Sequence, residues 1–309
     1  MKKIAFIFPG QGAQHTGMGL DLVEKSEEAK KCFDTADGLL DFDLYDLCAN
    51  QKAPIDQTAY TQPALVAVSI CLLNELRRHV DIVPDYVAGL SLGEYSALVA
   101  ADILSYTDAI ELVRKRGLYM EEAGRKVQGG MAAIVKADQG HIEELCAKDP
   151  GVVGIANYNN PVQVVISGEE DAVQRVSSIL MEEKIRVIPL QVSGAFHSPL
   201  METAAEKFEK ALESIQIDTG KIPYITNVTG EIVSDTSTTK HLLVEQLKGA
   251  VLWEKSVRTM IDHGVDTFVE IGPGNTLAGL IKKIDRKVKV LNLNSYEAIN
   301  TVVDAIKGV

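Results

Sequence analysis

The clearest sign of chemistry in this chain is a serine between two glycines. Residues 89–93 read Gly-Leu-Ser-Leu-Gly, the G-x-S-x-G pattern of a nucleophile elbow centred on Ser91. The flanking residues must be small because a sharp strand-to-helix turn exposes the serine hydroxyl. Residues 86–88 favour a strand before the turn, and the apolar spacing after it favours a helix. The sequence therefore predicts a nucleophile at Ser91, with the N–H of Leu92 facing a developing oxyanion.

A serine nucleophile needs a general base, and His197 is the best placed of the six histidines. It follows a strand and a glycine bend and directly precedes a predicted helix start at Ser198-Pro199, so it lies where strand ends meet. Solvated surface positions are expected for His79, His141, His241 and His263. Between Ser91 and His197 no acidic residue near a strand end is an evident partner for the imidazole. We therefore expect a Ser-His dyad held by another group, for instance a backbone carbonyl.

A glycine-rich turn after the first predicted strand presents Gln11. The turn fails the dinucleotide fingerprint, because the third glycine position holds His15, and fails the phosphate-binding loop, because Met18 replaces the lysine. What remains is a tight turn at the carboxyl end of a strand, where α/β sheets place their sites. The Gln11 N–H is a candidate hydrogen-bond donor, although an ordinary turn explains the same residues.

Arg116 lies in an apolar stripe of a helix predicted over residues 108–123. Four residues share that stripe: Ala109, Val113, Arg116 and Met120. One interpretation is that the arginine extends from the stripe to the surface. The other is that its guanidinium binds a carboxylate with two hydrogen bonds and so selects dicarboxylic acyl groups such as malonyl. An acetyl group would leave the buried charge unpaired.

These residues need a scaffold, and the pattern of apolar runs predicts an α/β protein. Strands over 4–8 and 86–88 alternate with helices over 62–79, 91–100 and 108–123, which indicates a largely parallel sheet. Residues 131–190 instead follow the order βαββαβ of a ferredoxin-like unit. The α/β rhythm then resumes with a helix from Ser198, a strand over 266–271 and a helix after Gly274. We predict a discontinuous catalytic domain, residues 1–125 and 194–309, interrupted by an inserted subdomain, residues 126–193.

Composition excludes several classes of protein. The chain has 309 residues and a net charge of -12, which opposes nonspecific binding to nucleic acid or anionic lipid. No apolar run approaches the ~18 to 20 residues that span a bilayer, and the apolar stretch over 4–8 is too short for a secretory signal. The four cysteines are widely spaced, which predicts reduced thiols, no metal site and a cytoplasmic location.

Taken in order along the chain, the motifs resemble those of malonyl-CoA:acyl carrier protein transacylases of bacterial type II fatty acid synthesis. They are Phe8 to Gly12 (FPGQG), Gly89 to Ser96 (GLSLGEYS), Arg116-Gly117, Asn157 to Ile166 (NYNNPVQVVI), Gly194 to Met201 (GAFHSPLM), Gln246 before Trp253, and Glu270 to Leu277 (EIGPGNTL). The resemblance covers essentially the whole chain. One position departs from it, because Leu90 stands where a histidine commonly precedes the serine.

The resemblance implies a hydrolase-like α/β core with an inserted ferredoxin-like subdomain, and it also implies a reaction and a site. Malonyl would pass from malonyl-CoA to Ser91 and then to the phosphopantetheine thiol of acyl carrier protein, without a metal or a bound cofactor. By motif position it implies His197 as base, the N–H groups of Gln11 and Leu92 as the oxyanion hole, and Arg116 as the malonate anchor. It also implies that a carbonyl of Gln246 orients the imidazole.

The sequence is also compatible with other functions. A serine esterase or thioesterase could use the same elbow, a polyketide acyltransferase would share the chemistry, and a silent acyl-binding subunit is disfavoured by the intact Ser91 and His197. An acidic carrier would need a local basic patch on this acidic chain. The densest basic run is a candidate patch, although a solvated surface explains it equally well; it comprises Lys282, Lys283, Arg286, Lys287 and Lys289.

Overall fold

We describe a computed structural model of the protein over residues 3–308. Met1, Lys2 and Val309, which the predicted domain division includes, lie outside the described residues. The described chain forms ten strands: β1 (Lys3–Phe8), β2 (Tyr86–Gly89), β3 (Gly129–Val135), β4 (Val153–Asn160), β5 (Gln163–Glu169), β6 (Arg186–Pro189), β7 (Tyr224–Ile225), β8 (Ile232–Val233), β9 (Val265–Ile271) and β10 (Lys289–Leu293).

Thirteen α-helices accompany these strands within residues 3–308. They are α1 (Leu20–Lys25), α2 (Glu27–Asp37), α3 (Leu44–Ala49), α4 (Thr58–His79), α5 (Gly93–Ala100), α6 (Tyr106–Lys126), α7 (Gln139–Lys148), α8 (Glu170–Glu182), α9 (Glu202–Leu212), α10 (Thr239–Lys248), α11 (Trp253–Asp262), α12 (Thr276–Ile284) and α13 (Ala298–Lys307). None of the helices in this part of the chain combines the length and apolar character that crossing a bilayer requires.

A six-stranded sheet in the order β10-β9-β1-β2-β7-β8 forms the centre of the molecule. All neighbouring strands are parallel except β7 and β8. Alternate side chains of β1 enter different cores: Phe6 packs with residues of α4 to α6, whereas Ile7 packs with Trp253 and Val257 of α11. Helices therefore cover both faces of the sheet, as expected for parallel strands, and the predicted α/β class is confirmed.

A second, four-stranded sheet has the order β4-β5-β3-β6, and all its pairs are antiparallel. Its elements follow the predicted sequence βαββαβ. One face packs against α7 and α8 through residues such as Ile134, Ile142 and Val176. The other face turns Met131 and Val165 toward the main core. The face of the small sheet that α7 and α8 leave uncovered is therefore the face that packs toward the large sheet.

Helix α4 begins at Thr58, four residues before the predicted start at 62. Proline usually lies in the first turn of a helix, whereas Pro63 lies in the second turn of α4. Proline lacks an N–H, so the carbonyl of Ala59 loses its usual partner in the helix. The guanidinium of Arg114 donates to that carbonyl at 2.8 Å instead, which allows the proline inside the helix.

Two other predicted helix starts were wrong by a few residues. Helix α5 begins at Gly93 rather than at 91, because the backbone of Ser91 is left-handed (φ 52°) and cannot be helical. Ser198 accepts the N–H of Leu200 as predicted for a cap, but it opens a 3₁₀ turn, and α9 follows from Glu202. The prediction did not include α1 to α3, α10, α11, α13, β7, β8 or β10. The four cysteines are free thiols.

Candidate active site

The turn that carries Ser91 is built by close backbone contacts. A Cβ on Gly89 would lie 1.9 Å from the carbonyl carbon of Gly93, and a Cβ on Gly93 would lie 2.1 Å from the carbonyl oxygen of Phe8. Only glycine fits at either position. The resulting turn holds Ser91 at φ 52°, a conformation that costs a non-glycine residue about 1–3 kcal/mol. Both flanking glycines of the predicted elbow are therefore required by the geometry.

His197 lies directly against this serine, although 106 residues separate the two. Ser91 Oγ is 2.7 Å from His197 Nε2. On the far side of the ring, Nδ1 is 2.7 Å from the backbone oxygen of Gln246. A carbonyl oxygen only accepts, so Nδ1 carries the hydrogen and Nε2 of the neutral ring accepts the serine proton. This tautomer is the one that a general base requires.

The environment keeps this imidazole neutral. His197 is 7% exposed, and its backbone is left-handed at φ 57°. Burial, followed by the nearby positive charge of Arg116, lowers the pKa of His197 to about 4, whereas hydrogen bonds to the backbone of Gln246 and Gly249 oppose the shift. The ring is therefore free to accept a proton throughout the neutral pH range.

Two residues that line the same cavity as Ser91 have backbone N–H groups without an acceptor in the described part of the chain. The N–H groups of Gln11 and Leu92 donate no hydrogen bond within residues 3–308, and both residues line the cavity that Ser91 and His197 also line. The Gln11 side chain is fixed from behind, since its Nε2 donates to Thr58 Oγ1 at 3.1 Å. This pair of unused donors matches the chemistry of an oxyanion hole.

Arg116 is buried beside the nucleophile and does not reach the surface, so that interpretation of its stripe was wrong. It is 1% exposed, and its Nη2 donates to Ser91 Oγ at 3.3 Å. Its Nη1 donates to Gln62 Oε1 at 2.9 Å, and its guanidinium lies 5.4 Å from the centre of the Tyr95 ring. Burial lowers the pKa of Arg116. Its Nε is buried and has no acceptor in the described part of the chain.

Gln246 connects several of these groups. Its backbone oxygen accepts from His197, its Oε1 accepts from Arg116 at 3.1 Å, and its Nε2 donates to the backbone oxygen of Ser91 at 3.1 Å. The structure therefore brings together the six residues that the motifs singled out; they are Gln11, Ser91, Leu92, Arg116, His197 and Gln246.

The sequence prediction missed two buried residues behind this group. Asn227 Oδ1 accepts the N–H of Ser91 at 2.6 Å, and its Nδ2 donates to the backbone oxygen of Gly89 at 2.6 Å. Glu94 is fully buried and accepts from Gln246 Nε2 at 2.6 Å. The sequence does carry a signal for Glu94, because this carboxylate lies in the first turn of a helix that is otherwise mostly apolar. Asn227 gave no comparable signal, since it follows a strand of only two residues.

The reacting groups open into a cavity of about 290 Å³ between the two sheets. Its far wall comes from the small sheet and carries the side chains of Asn157, Asn159 and Gln163 beside apolar residues. Asn159 Oδ1 is buried and has no hydrogen-bond partner among residues 3–308. Leu90 lines the near side. The cavity is therefore mostly apolar, with a few polar groups on opposite sides.

The basic run lies beside this cavity rather than in it. On α12, Thr276 and Leu280 line the cavity. Lys283 lies seven residues after Thr276 and three after Leu280, so it is on the same stripe of the helix. The basic side chains of the run are exposed, and within the described residues none forms an ion pair. Lys289 Nζ donates to the backbone oxygen of Ala305 at 3.1 Å.

Comparison with known proteins places the chain in a family. Residues 5–302 match the model of the acyl transferase domain, and the chain therefore belongs to the acyl transferase family. Within it, the chain is 42% identical over 312 aligned residues to the malonyl CoA-acyl carrier protein transacylase of Bacillus subtilis, covering 99% of this chain and 98% of that protein. The resemblance drawn from the motifs is confirmed.

Solved structures agree with this assignment. The malonyl CoA-acyl carrier protein transacylase of Clostridium perfringens superimposes with a TM-score of 0.94 at 36% identity, covering 99% of this chain and 98% of that one. A malonyl-transacylase solved in complex with a type II polyketide synthase acyl-carrier protein has a TM-score of 0.94 at 34% identity, covering 98% and 100%. The fold is thus shared over nearly the full length.

Proposed function

We propose that this protein transfers a malonyl group from malonyl-CoA to the phosphopantetheine thiol of acyl carrier protein through a malonyl-Ser91 intermediate. The observation that carries the proposal is the contact of Ser91 Oγ with both His197 Nε2 (2.7 Å) and Arg116 Nη2 (3.3 Å). A serine nucleophile with its base can form an acyl-enzyme. A buried guanidinium beside that serine favours an acyl group that carries a negative charge. The transacylases to which the chain is similar carry the same activity in their names.

In the first half-reaction, His197 Nε2 takes the hydroxyl proton as Ser91 Oγ bonds to the thioester carbon. The N–H groups of Gln11 and Leu92 then hold the oxyanion. As the carbon–sulfur bond breaks, protonated His197 returns the proton to the CoA sulfur. The hydrogen bond from Nδ1 to the Gln246 backbone oxygen keeps the ring oriented during both transfers.

In the second half-reaction, the thiol of the carrier's phosphopantetheine arm is the nucleophile. Its proton passes to His197 Nε2 while its sulfur bonds to the acyl carbon. The ester bond to Ser91 Oγ breaks, and the oxygen takes the proton back from His197. The same base therefore serves both half-reactions, and release of CoA before the carrier's thiol reacts with malonyl-Ser91 makes the cycle ping-pong.

Arg116 gives the site its preference for malonyl. A malonyl carboxylate lies one methylene beyond the acyl carbon, and the guanidinium is in contact with the oxygen that carries this carbon. Pairing satisfies a charge that is otherwise buried at 1% exposure. An acetyl group has no carboxylate, so the guanidinium would stay without an anionic partner, as it is before substrate binds. Discrimination therefore follows from charge pairing rather than from cavity size.

The basic run is the proposed docking site for the acidic carrier. It comprises Lys282 and Lys283 at the end of α12, Arg286 and Lys287 in the connection that follows, and Lys289 at the start of β10. The stripe that places Lys283 in line with two cavity-lining residues supports this assignment, because a bound carrier must deliver its arm to the cavity. Reversal of Lys282, Lys283 and Lys287 to Glu should slow transfer to the carrier at low salt but leave acylation by malonyl-CoA intact. Unchanged transfer would remove the assignment.

We also propose a division of the chain into a catalytic domain and an inserted subdomain. We assign the large sheet with its helices, residues 1–125 and 194–309, to a hydrolase-like catalytic domain, and residues 126–193 to an inserted ferredoxin-like subdomain. The βαββαβ order, with the first and third strands at the centre of the sheet, supports the second assignment. A cytoplasmic location stays a prediction.

A polyketide acyltransferase is the second candidate, since one similar structure is a complex with a type II polyketide synthase carrier protein. It would use the same residues with a different carrier. Transfer assays with carriers from both pathways, each at several concentrations, separate the two by the ratio of kcat/KM.

The central test is intact mass spectrometry after mixing the protein with malonyl-CoA or acetyl-CoA. We expect a malonyl adduct on the wild type, a much smaller acetyl adduct, and no adduct on Ser91→Ala. The absence of a malonyl adduct, or an adduct that survives Ser91→Ala, would sink the proposal. Addition of acyl carrier protein distinguishes transfer from hydrolysis, because a thioesterase would release free malonate instead of loading the carrier.

A further inference from the structure

A buried carboxylate lies directly behind the reacting pair. Glu94 is in the first turn of α5, three residues after Ser91, and is 0% exposed. Its Oε2 accepts from Gln246 Nε2 at 2.6 Å and from the backbone N–H of Asn227 at 3.1 Å. Glu94 does not line the cavity, so it has no direct access to substrate. Burying a carboxylate costs folding free energy unless hydrogen bonds compensate, so the two hydrogen bonds of Glu94 require an explanation.

The first contact controls the side chain of Gln246. With Nε2 donating to the carboxylate, the amide must turn its Oε1 toward Arg116, which donates to it at 3.1 Å. Nε2 also donates to the backbone oxygen of Ser91, and the backbone oxygen of Gln246 accepts from His197. Glu94 therefore fixes the residue that contacts nucleophile, base and anchor at once.

The second contact controls the turn that carries the nucleophile. Glu94 holds the backbone of Asn227, whose side chain bonds on both sides of the elbow, to the N–H of Ser91 and to the oxygen of Gly89. These bonds support the left-handed conformation of Ser91. They also occupy the Ser91 N–H, whereas the N–H of Leu92 has no acceptor among residues 3–308.

We propose that Glu94 is a positioning residue for the acyl transfer, holding Ser91 and His197 in register through Asn227 and Gln246. The inference rests on the proposed roles of Ser91 and His197. Glu94 acts through geometry rather than through its charge, since both of its contacts need only an acceptor oxygen. Burial raises the pKa of Glu94 to about 7, against the opposing effect of its hydrogen bonds, and a protonated carboxyl still keeps one oxygen that accepts.

Three substitutions separate geometry from charge. Glu94→Gln keeps the length and an acceptor oxygen but removes the charge. Glu94→Asp keeps the charge but withdraws the oxygen by one methylene, and Glu94→Ala removes both. We expect kcat for malonyl transfer to fall about 100-fold in the Asp and Ala variants and to stay within about fivefold of wild type in Gln, with KM for malonyl-CoA nearly unchanged in all three. Higher kcat in Asp than in Gln would overturn the proposal.

A serine-reactive fluorophosphonate gives a second readout, because its reaction needs Ser91 and His197 but no carboxylate anchor. We expect labelling of Ser91 to slow in the Asp and Ala variants in proportion to kcat. Wild-type labelling rates in Glu94→Ala would overturn the positioning role. Failure of the wild type to be labelled at Ser91 would instead contradict the proposed function itself, so the two failures are distinguishable.

Glu75 provides the matched control for loss of a buried carboxylate. It lies on α4 with 2% exposure and accepts from the hydroxyl of Ser26 at 2.7 Å, with no contact to the reacting residues. Glu75→Ala should lower the melting temperature and leave kcat near the wild-type value at a temperature where the protein is folded. If Glu75→Ala and Glu94→Ala lose kcat equally, Glu94 has only a structural role and the proposal is overturned.

Discussion

The large sheet and the small sheet contribute different groups to one cavity. The large sheet and its helices hold Ser91, Arg116 and Leu92 on backbone that is buried and fixed by short contacts. The small sheet supplies a wall of amide and apolar side chains, of which Asn159 retains an unused acceptor among the described residues. We therefore expect the large-sheet unit to supply both the reacting groups and the malonate anchor and the small sheet to contact the rest of the substrate, so changes in the two units should affect different kinetic constants.

The largest effect is expected in the large-sheet unit at the base. His197→Ala removes the acceptor for the Ser91 proton and should slow acylation by malonyl-CoA by at least about 10⁴-fold, with KM little changed. Single-turnover acylation followed by intact mass measures this step. His263→Ala is the control, because among the described residues that ring hydrogen-bonds only to the backbone oxygen of Thr259, and it does not line the cavity. A loss below about tenfold for His197→Ala would contradict its role as base.

The next effect tests the anchor in the same unit. Arg116→Ala should lower kcat/KM for malonyl-CoA by about 100- to 1,000-fold and leave that for acetyl-CoA the same or higher, because only malonyl pairs with the guanidinium. Arg114→Ala, on the same helix but paired with Asp41, should keep the malonyl preference. If Arg116→Ala retained that preference, the anchor would lie elsewhere.

A smaller effect is expected in the small sheet. Asn159→Ala removes one hydrogen-bonding side chain from the wall and should raise KM for malonyl-CoA by up to about tenfold while kcat stays within about twofold. Steady-state kinetics with malonyl-CoA measure both constants. A fall in kcat without a change in KM would show that the small sheet takes part in the chemistry, and the division between the units would be wrong.

The smallest effect concerns pH. Because the pKa of His197 is lowered to about 4, the ring stays neutral down to about pH 5, and activity is lost only as the pH falls through about 4. We expect kcat/KM at pH 5.5 within about twofold of its value at pH 7.5, whereas an unshifted imidazole would lose about tenfold. Glu94 titrates in the same range with a pKa of about 7, so Glu94→Gln is measured alongside. An acid limb near pH 6.5 in both proteins would mean that the ring is less buried than described.

Much of the site could be predicted because it depends on local sequence. The strand before Ser91, the glycines around it and the bend before His197 each act within a few residues, and the elements around them were predicted to within a few positions. The contacts of Asn227 and Glu94 could not be derived in this way. They join segments 133 residues apart, and a buried polar group shows its partner only once the chain is folded.

The missed elements have a similar explanation. Strand β7 has only two residues, Tyr224–Ile225, which is too short for an alternating pattern, and it is a strand because β2 lies beside it. Ser91 was placed in a helix because serine does not ordinarily adopt positive φ. In both cases a long-range contact overrides the local preference.

The order of strands also has a consequence for synthesis on the ribosome. Strand β1 is made before the other described strands, yet one of its two neighbours in the sheet is β9, the ninth of the ten. At about 5–20 residues per second, a few tens of seconds pass before β9 is made. During that interval β1 exposes an unpaired edge, and Asn227 and Gln246, which hold the elbow from behind, are added only in its last part. The newborn chain therefore carries an edge open to aggregation, and its nucleophile gains its surroundings long after Ser91 itself has been made.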